Sequence, residues 1–215
     1  MCVCGRFYTF PAMAQEVEIK FLVKDAKALA RRLRASGFQM VSRRTHEMNV
    51  LYDLPGNPLR QRGEILRLRK YGSRWTFTHK SKGTARRYKS RRELETEVAD
   101  GASLDGILRA LGFAPSFRYE KFRSEWTDER GHVVIDQTPI GVVAEIEGPP
   151  RWIEWTAKLL GVARDAYITL SYGALFDEWK RHTGSSAEEM TFAAVRHPER
   201  SPNERSERGQ AKNLQ

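Results

Sequence analysis

Apolar and polar residues alternate with a period of two through most of the chain, and this alternation predicts a protein built mainly of β-strands. The pattern predicts eight strands, over residues 15–23, 40–53, 65–71, 75–81, 91–98, 117–126, 132–136 and 142–147. Gly72-Ser73 is a short hairpin signal between the third and fourth strands, and residues 128–131 form a turn between the sixth and seventh.

Four segments with helical spacing interrupt these strands. The first begins near Asp25, a suitable N-cap, places Leu29 and Leu33 on one apolar face, and ends at Gly37. The other three are predicted over residues 103–111, 152–160 and 166–182. The predicted fold class is therefore α+β.

Two parts of the chain resemble each other. The first has Glu16-x-Glu18, a helix and then Gly37-Phe38; the second has Glu95-x-Glu97, a helix and then Gly112-Phe113. Each part then continues into strands rich in Lys and Arg. This repetition predicts two similar halves related by a pseudo-two-fold axis.

Most predicted strands have one charged face and one apolar face. The charged sets include Glu16, Glu18 and Lys20 on the first strand and Glu145 and Glu147 on the last. On a single strand this pattern is usual for a sheet with one face in water. Six strands share it, and if every apolar face packs against helices, the charged faces must line a common interior. The sequence therefore predicts a closed β-barrel with a polar lumen and helices packed outside.

The composition is that of a soluble globular protein of 215 residues, with 40% apolar residues and a mean hydropathy of −0.60. No apolar run approaches the roughly 20 residues that a membrane helix needs. The first residues have neither a basic n-region nor a clear apolar region of a signal peptide. We therefore expect a cytoplasmic protein without a membrane partner.

Three regions are predicted along the chain. Residues 1–13 contain both cysteines, Cys2 and Cys4, and are expected to be a disordered extension. Residues 14–183 form the folded domain. Residues 184–215 have few large apolar residues after Phe192, so burial could not offset their ordering entropy, and a disordered tail is expected.

Positive charge is concentrated in one stretch. The formal net charge is +10, and from Arg60 to Arg92 there are thirteen basic residues and one acid, Glu64. A strongly basic segment is typical of a protein that binds a polyanion. Strand parity changes this picture, because Arg67 and Arg69 alternate with leucines and should point into the barrel.

Paired glutamates and basic residues on the same faces suit a metal ion and a polyphosphate. Two carboxylates at positions i and i+2 of a strand lie about 7 Å apart, close enough to share a hard divalent cation. Arginine binds phosphate oxygens as a bidentate fork and lysine binds them as a point charge. The lumen is thus predicted to bind Mg²⁺ or Mn²⁺ together with a polyphosphate.

An ordered series of motifs resembles the CYTH superfamily, the triphosphate tunnel metalloenzymes. It begins with the E-x-E-x-K motif Glu16-Val17-Glu18-Ile19-Lys20. It continues with Tyr52-Asp53, Leu66-Arg67-Leu68-Arg69, Thr78 and Lys80, Arg91-x-Glu93-x-Glu95, Lys121-x-Arg123, Asp136 and Glu145-x-Glu147. The resemblance covers about residues 14–182. This superfamily includes class IV adenylate cyclases, thiamine triphosphatases and inorganic triphosphatases.

The resemblance implies an eight-stranded antiparallel tunnel that binds a triphosphate and one or two Mg²⁺ or Mn²⁺ ions. The implied metal ligands are Glu16, Glu18, Glu145 and Glu147, with Glu93, Glu95 and Asp136 assisting. The implied triphosphate-binding residues are Lys20, Arg67, Arg69, Lys80, Arg91, Lys121 and Arg123. Lys20, Lys80 and Asp136 are the expected catalytic residues.

The expected function is that of a class IV adenylate cyclase, which converts ATP to cyclic AMP and pyrophosphate. The alternative within the family is a triphosphatase that hydrolyses inorganic triphosphate, thiamine triphosphate or a nucleoside triphosphate. The expected partner is thus a small-molecule triphosphate, and nucleic acid is not expected. A homodimer is compatible with the sequence.

A third alternative is a non-catalytic polyanion-binding module, which would display the basic segment on its outer surface with aromatic residues between the cations. Other chemistries lack their motifs. The five histidines form no zinc-binding pair, and neither a P-loop nor a dinucleotide-binding glycine motif is present.

Overall fold

The alternating segments form nine strands in the computed structural model, which describes residues 15–196. The strands are β1 (Gln15–Leu22), β2 (Gln39–Asp53), β3 (Ile65–Tyr71), β4 (Arg74–Lys80), β5 (Thr84–Ala85), β6 (Lys89–Val98), β7 (Ala114–Thr127), β8 (His132–Thr138) and β9 (Gly141–Glu147). The helices are α1 (Ala26–Ala35), α2 (Pro58–Gln61), α3 (Gly101–Ala110), α4 (Pro150–Leu159), α5 (Tyr172–Thr183) and α6 (Phe192–Arg196), and a 3₁₀ turn spans Arg164–Ala166. None of these helices is both long enough and apolar enough to cross a membrane.

Eight of the strands form a closed ring. Their order is β1-β9-β8-β7-β2-β3-β4-β6, and β1 pairs with β6 to close it. Every neighbouring pair is antiparallel. The two-residue β5 pairs with β6 outside the ring. The predicted closed, eight-stranded antiparallel barrel is confirmed.

Apolar side chains of the strands face outward and pack under the helices, as strand parity predicted. The largest apolar cluster joins Ile19, Trp126 and Ile146 of the barrel to Leu33 of α1 and Ile153 of α4, each at most 1% exposed. Smaller clusters lie under α3 and α5. Because the core lies between the barrel and its helices, the lumen is left for polar groups.

The two halves share a strand–helix–strand unit, β1-α1-β2 and β6-α3-β7. Asp25 caps α1 and Asp100 caps α3, each accepting backbone N–H bonds from the first turn. Each helix is followed by a glycine in the left-handed region, Gly37 at φ 88° and Gly112 at φ 89°, a conformation that favours glycine. β1 pairs with β6 and β2 with β7, an arrangement that fits the predicted pseudo-two-fold axis.

The register of the repeat differs from the sequence prediction. Sequence comparison matched Glu16-x-Glu18 with Glu95-x-Glu97. The two N-cap aspartates are 75 residues apart, which instead matches Glu18 with Glu93. The alternation along a strand shows only which face each residue is on. Shifting one half of the repeat against the other by an even number of residues keeps every residue on its face, so only the helix caps fix the alignment.

The last predicted helix, over residues 166–182, is wrong in its first part. Residues 167–171 are not helical, and Ile168 exchanges two backbone hydrogen bonds of 2.8 Å with Lys20 on β1. α5 begins at Tyr172, where the side chain of Ser171 accepts the N–H of Ala174. Backbone pairing with a free edge of β1 therefore takes precedence over the helical pattern of this segment.

The folded region also extends beyond residue 183. Met190 is fully buried, and its backbone N–H and C=O bond to Arg118 and Glu120 on β7. The disordered tail predicted for residues 184–215 is therefore wrong for residues 184–196, because Ala187 and Met190 bury their side chains under α5. Residues 197–215 and the predicted N-terminal extension with its two cysteines lie outside the described residues.

Candidate functional site

A cavity of about 840 Å³ lies inside the barrel, a volume typical of a small-molecule site. Of the residues predicted to form the site, thirteen line this cavity: Glu16, Glu18, Lys20, Arg67, Arg69, Lys80, Arg91, Glu93, Glu95, Lys121, Arg123, Glu145 and Glu147. Asp136 lies directly behind Lys121 and Arg123 and is fully buried. The closed sheet has thus brought together residues that are up to 131 positions apart.

Four carboxylates gather where β1 lies beside β9. Glu18 pairs with Glu147 across the two strands, and Lys20 pairs with Glu145. Glu16 lies two residues before Glu18 on β1, so its side chain is on the same face. We call Glu16, Glu18, Glu145 and Glu147 the β1–β9 acidic group. Four like charges in one buried place repel one another strongly unless cations accompany them.

Glu147 shows this repulsion most clearly. Burial raises the pKa of its carboxyl, and the charges of Glu16, Glu145 and Glu18 raise it further, to about 7. Within residues 15–196, no lysine or arginine forms an ion pair with Glu147. Glu147 is therefore the member of the acidic group that the neighbouring cations neutralise least.

The other members of the group have cations at contact distance. Lys20 Nζ lies 2.6 Å from Glu18 and 3.2 Å from Glu145. Burial lowers the pKa of the Lys20 ammonium, but the adjacent carboxylates outweigh burial and raise it above its usual range. Lys20 is therefore charged and lies between the two strands of the group.

Glu16 is held from the side of β1 opposite to β9, by cations of β4 and β6. Lys80 Nζ lies 3.1 Å from its carboxylate and Arg91 Nε lies 3.3 Å away. Burial raises the pKa of Glu16, but the charges of Lys80 and Arg91 outweigh burial and lower it to about 2. Glu16 is thus fully ionised at neutral pH.

Asp136 has a different environment. Its Oδ2 accepts bonds from Lys121 (2.8 Å), Arg123 (2.6 Å) and the hydroxyl of Tyr172 (2.5 Å), and its Oδ1 accepts a second bond from Arg123 (2.7 Å). Four donors occupy both oxygens. The geometry therefore makes Asp136 an anchor for two cations that face the cavity.

Glu47 lies under the same cations, and the sequence analysis did not select it. It is fully buried, 3.5 Å from Lys121 and 3.6 Å from Arg69, and it accepts a 2.9 Å bond from Asn49. Burial raises its pKa, but Lys121, Arg69 and Arg123 outweigh burial and hold the pKa well below its usual range. The alternation Glu47-x-Asn49 in the second predicted strand was the signal that could have found it. We call Glu47, Lys121, Arg123 and Asp136 the Asp136 cluster.

Glu93 and Glu95 lie on a different wall of the lumen. Arg67 lies 3.6 Å from Glu93 and 3.4 Å from Glu95, and Lys80 lies 2.7 Å from Glu93. The hydroxyl of Thr78 donates a 2.6 Å bond to Glu95. These two glutamates hold cations of β3 and β4, and only Lys80 links them to the β1–β9 acidic group within residues 15–196, so their role as metal ligands stays a prediction.

Two more residues at the cavity were not selected from the sequence. Lys89 Nζ lies 2.8 Å from Glu18, and burial together with the charge of Lys20 lowers the pKa of Lys89 to about 8. Its parity with Arg91 was the available signal. Tyr172 reaches the lumen from α5, and no strand pattern could have predicted the position of that helix.

Part of the cavity wall near α5 is apolar, although Asp177 and Lys180 of α5 line the cavity as well. Leu51 and Phe117 contribute to it from the barrel, and Phe176 contributes from α5. The ring of Phe117 stacks on that of Tyr119, with centroids 5.7 Å apart and an angle of 22° between the planes. Such a wall suits a planar organic group, which aromatic side chains bind by stacking.

The donor set of the β1–β9 acidic group fits a hard divalent cation. It offers only carboxylate oxygens, which Mg²⁺ and Mn²⁺ prefer, and within residues 15–196 Glu147 forms no ion pair with a lysine or arginine. Within the described residues, no three acidic, histidine or cysteine side chains are already arranged around one point. Lys20 and Lys80 occupy the carboxylates instead, so binding an ion there requires these lysines to exchange a carboxylate for another anion.

Comparisons with known proteins agree with this geometry. The sequence matches the model of the CYTH domain over residues 14–148. A protein of Methanocaldococcus jannaschii that is provisionally named an adenylate cyclase is 26% identical over 133 residues, which are 61% of this chain and 75% of that protein.

Solved structures share the fold. A Vibrio parahaemolyticus protein, also provisionally named an adenylate cyclase, has a TM-score of 0.68 at 21% identity, covering 75% of this chain and 97% of its own. A Hippeastrum protein, provisionally named an adenylyl cyclase and described as having a dominant triphosphatase activity, has a TM-score of 0.56 at 18% identity, covering 76% of this chain and 95% of its own.

Proposed function

The chain belongs to the CYTH family, and we propose that it is a metal-dependent enzyme that acts on an organic triphosphate, with the conversion of ATP to cyclic AMP and pyrophosphate as its reaction. The observation that carries the proposal is the convergence of cations from five strands on one closed lumen, next to a group of four carboxylates in which Glu147 has a raised pKa. A triphosphate is the small-molecule anion that needs this many cations. The name of the Methanocaldococcus jannaschii relative supports the choice of cyclase.

The proposed phosphate-binding residues are the cations around the cavity: Lys20, Arg67, Arg69, Lys80, Lys89, Arg91, Lys121 and Arg123. Lys80 and Lys20 already bind carboxylates at 3.1–3.2 Å, and a phosphate oxygen would take the place of one of those carboxylate oxygens. Lys121 and Arg123 are held from behind by Asp136, so they need little reorganisation when the ligand enters.

The proposed metal ligands are Glu16, Glu18, Glu145 and Glu147. A bound Mg²⁺ or Mn²⁺ would neutralise the charge that builds up on the phosphate oxygens during the reaction. Lys20, between Glu18 and Glu145, is placed to bind the same phosphate group that the ion would bind. Asp136 is proposed to act by fixing Lys121 and Arg123 rather than by touching the substrate.

In the cyclase reaction, the ribose 3′-oxygen forms a bond to the α-phosphorus while the bond from that phosphorus to the oxygen of the β-phosphate breaks. The 3′-hydroxyl loses its proton, and in the overall balance the departing pyrophosphate takes that proton up. The cations of β3, β4 and β6 are proposed to stabilise the charge on the departing pyrophosphate.

The apolar wall near α5 supports an organic rather than an inorganic triphosphate. Leu51, Phe117 and Phe176 lie beside the cations but carry no charge, so they offer nothing to a bare phosphate chain. A nucleobase could lie against them while the phosphates extend toward Lys20 and Lys80.

A triphosphatase is the second candidate, and the described activity of the Hippeastrum protein supports it. In that reaction water attacks the terminal phosphorus. The same cations and carboxylates would serve, because both reactions need the charge of the triphosphate to be neutralised. The two candidates differ in the phosphorus attacked, and hence in their products.

Product analysis tests the proposal. The protein is incubated with Mg²⁺ or Mn²⁺ and with ATP, inorganic tripolyphosphate or thiamine triphosphate, and cyclic AMP, pyrophosphate and orthophosphate are separated. We expect cyclic AMP and pyrophosphate from ATP. Orthophosphate from any of the three substrates, without cyclic AMP, would replace the cyclase by the triphosphatase, and no product from any substrate would overturn both.

A further inference from the structure

The chain beyond residue 148 lies outside the matched CYTH region, yet it completes the barrel at two open seams. β6 covers β1 only as far as Glu18, and the next free position, Lys20, pairs with Ile168. β8 covers β7 only from Phe122 onward, and the free edge before it bonds to Met190. We call residues 167–196 the C-terminal strap. α5 lies between its two attachment points and forms part of the cavity wall.

Tyr172, the first residue of α5, reaches from the strap into the Asp136 cluster. It is 7% exposed, and its hydroxyl donates a 2.5 Å bond to Oδ2 of Asp136. Lys121 Nζ lies 4.3 Å from the centre of its ring and Lys20 Nζ lies 5.7 Å away, both within the range of a cation–π contact. One side chain therefore touches an anchoring carboxylate and two proposed phosphate-binding lysines.

The hydroxyl affects how strongly Asp136 holds Lys121. Oδ2 of Asp136 accepts three bonds, from Lys121, Arg123 and Tyr172. The Tyr172 hydroxyl is a neutral donor, so it occupies part of Oδ2 without adding a positive charge. Asp136 therefore binds Lys121 less strongly, and a phosphate can take this lysine from Asp136 more easily. The ring at the same time limits where the ammonium can move.

We propose that Tyr172 is a positioning residue for the triphosphate: it keeps Lys121 directed at the cavity and available to a phosphate, and it makes the C-terminal strap a part of the substrate site. This inference rests on the proposed function. It adds that a residue outside the matched family region sets the affinity for the phosphate chain. Removing the hydroxyl should let Asp136 bind Lys121 more tightly and should weaken phosphate binding.

The test is calorimetric binding of inorganic tripolyphosphate to the full chain in EDTA, so that no turnover interferes. We expect Tyr172→Phe to weaken binding about 10-fold, the effect typical of one hydrogen bond to a charged group. Tyr88→Phe is the matched control. The Tyr88 hydroxyl also bonds to a carboxylate, that of Glu154 at 2.7 Å, but its side chain packs against the apolar cluster outside the barrel. Its binding should stay within about 2-fold of the unsubstituted protein.

A second background separates positioning from a general loss of structure. With Lys121→Met already present, Tyr172→Phe should change the affinity by less than about 2-fold, because there is no ammonium left to redirect. A 10-fold loss in both backgrounds would overturn the inference, and so would equal binding by the unsubstituted protein and Tyr172→Phe. If the unsubstituted protein binds no tripolyphosphate in EDTA, the measurement is repeated with Mg²⁺ or Mn²⁺, and absence of binding there too would overturn the proposed function and this inference with it.

Discussion

The β1–β9 acidic group and the Asp136 cluster contain the same kinds of residue on the same lumen, but they differ in how their charge is balanced. Asp136 is fully buried and accepts four bonds from three side chains. Glu147 has a pKa raised to about 7 by burial and by three other glutamates, with no ion pair among residues 15–196. The hydrogen-bonding capacity of Asp136 is used within the protein, whereas Glu147 is left for a bound cation.

Residue type alone does not show which carboxylates of the lumen are structural and which are functional. The number of cations bound to each carboxylate does distinguish them. A carboxylate whose oxygens are all bound stabilises the cations around it, and breaking such a buried pair is costly. A carboxylate among like charges, such as Glu147 with its pKa of about 7, is partly protonated at neutral pH, and a bound cation would shift it to the ionised form. The comparison therefore predicts which substitutions reduce activity and which reduce stability.

The largest expected effect is on activity, from Glu147→Gln. Loss of this charge should reduce Mg²⁺-dependent turnover by about 10³-fold or more, since the proposed ion stabilises several kcal/mol of transition-state charge. The urea unfolding midpoint should not fall. Glu97→Gln is the matched control, because Glu97 lies on β6 and is exposed. Full turnover by Glu147→Gln would remove this residue from the metal site.

Asp136→Asn is expected to reduce stability most. The substitution leaves Lys121 and Arg123 buried without the carboxylate that balances them, at a cost of about 3 kcal/mol in the free energy of unfolding. Urea denaturation in EDTA measures it. The control is Asp177→Asn, whose exposed pair with Arg60 at 3.7 Å should contribute less than about 0.5 kcal/mol. An effect as small as that of the control would show that the Asp136 cluster does not stabilise the barrel.

Glu47→Gln should cost less, about 1–2 kcal/mol, because its cations lie 3.5–3.8 Å away and Lys121 and Arg123 keep Asp136. The same urea experiment measures the difference. A larger loss than that of Asp136→Asn would reverse the ranking of the two carboxylates and make Glu47 the main anchor.

The last expected effect is a pH dependence of stability without metal. The pKa of Glu147 is raised from 4.5 to about 7 in the folded protein, so the folded state binds this proton more tightly than the unfolded state. The stabilisation is complete below about pH 4.5 and is lost as pH rises through 7. Glu147→Gln cannot ionise, so in EDTA it should be more stable than the unsubstituted protein by about 3 kcal/mol at pH 8 and by about 1 kcal/mol at pH 5.5. Equal stability at pH 8 would mean that the charge is already neutralised within the protein.

Much of the fold could be predicted because strand parity is a local property. A residue such as Glu18 or Arg67 faces opposite to its neighbours in the chain, and apolar neighbours such as Ile19 and Leu68 must be buried. The same rule showed that part of the basic segment points inward, and Arg67, Lys80 and Arg91 do line the cavity. Glu47 could have been found by that rule as well, since it alternates with Asn49.

Other features could not be predicted, because they depend on contacts between distant segments. The sequence contains no sign that residues 167–171 leave their helical pattern to pair with Lys20, or that Met190 fills a seam beside β7. Tyr172 enters the Asp136 cluster only because these two attachments fix the position of α5. A helix pattern predicts which face is apolar but not where the helix lies.

The sequence by itself therefore determined the barrel, the inward direction of its charged residues and the kinds of chemistry they suit, because side-chain direction in a strand follows from position alone. Only the tertiary structure decided which carboxylates are bound by lysine and arginine and which are left with excess charge. The physical reason is that the pKa and the partners of a buried group depend on the charges within a few ångströms. At Asp136 and at Glu147, those charges come from strands and helices far apart in the chain.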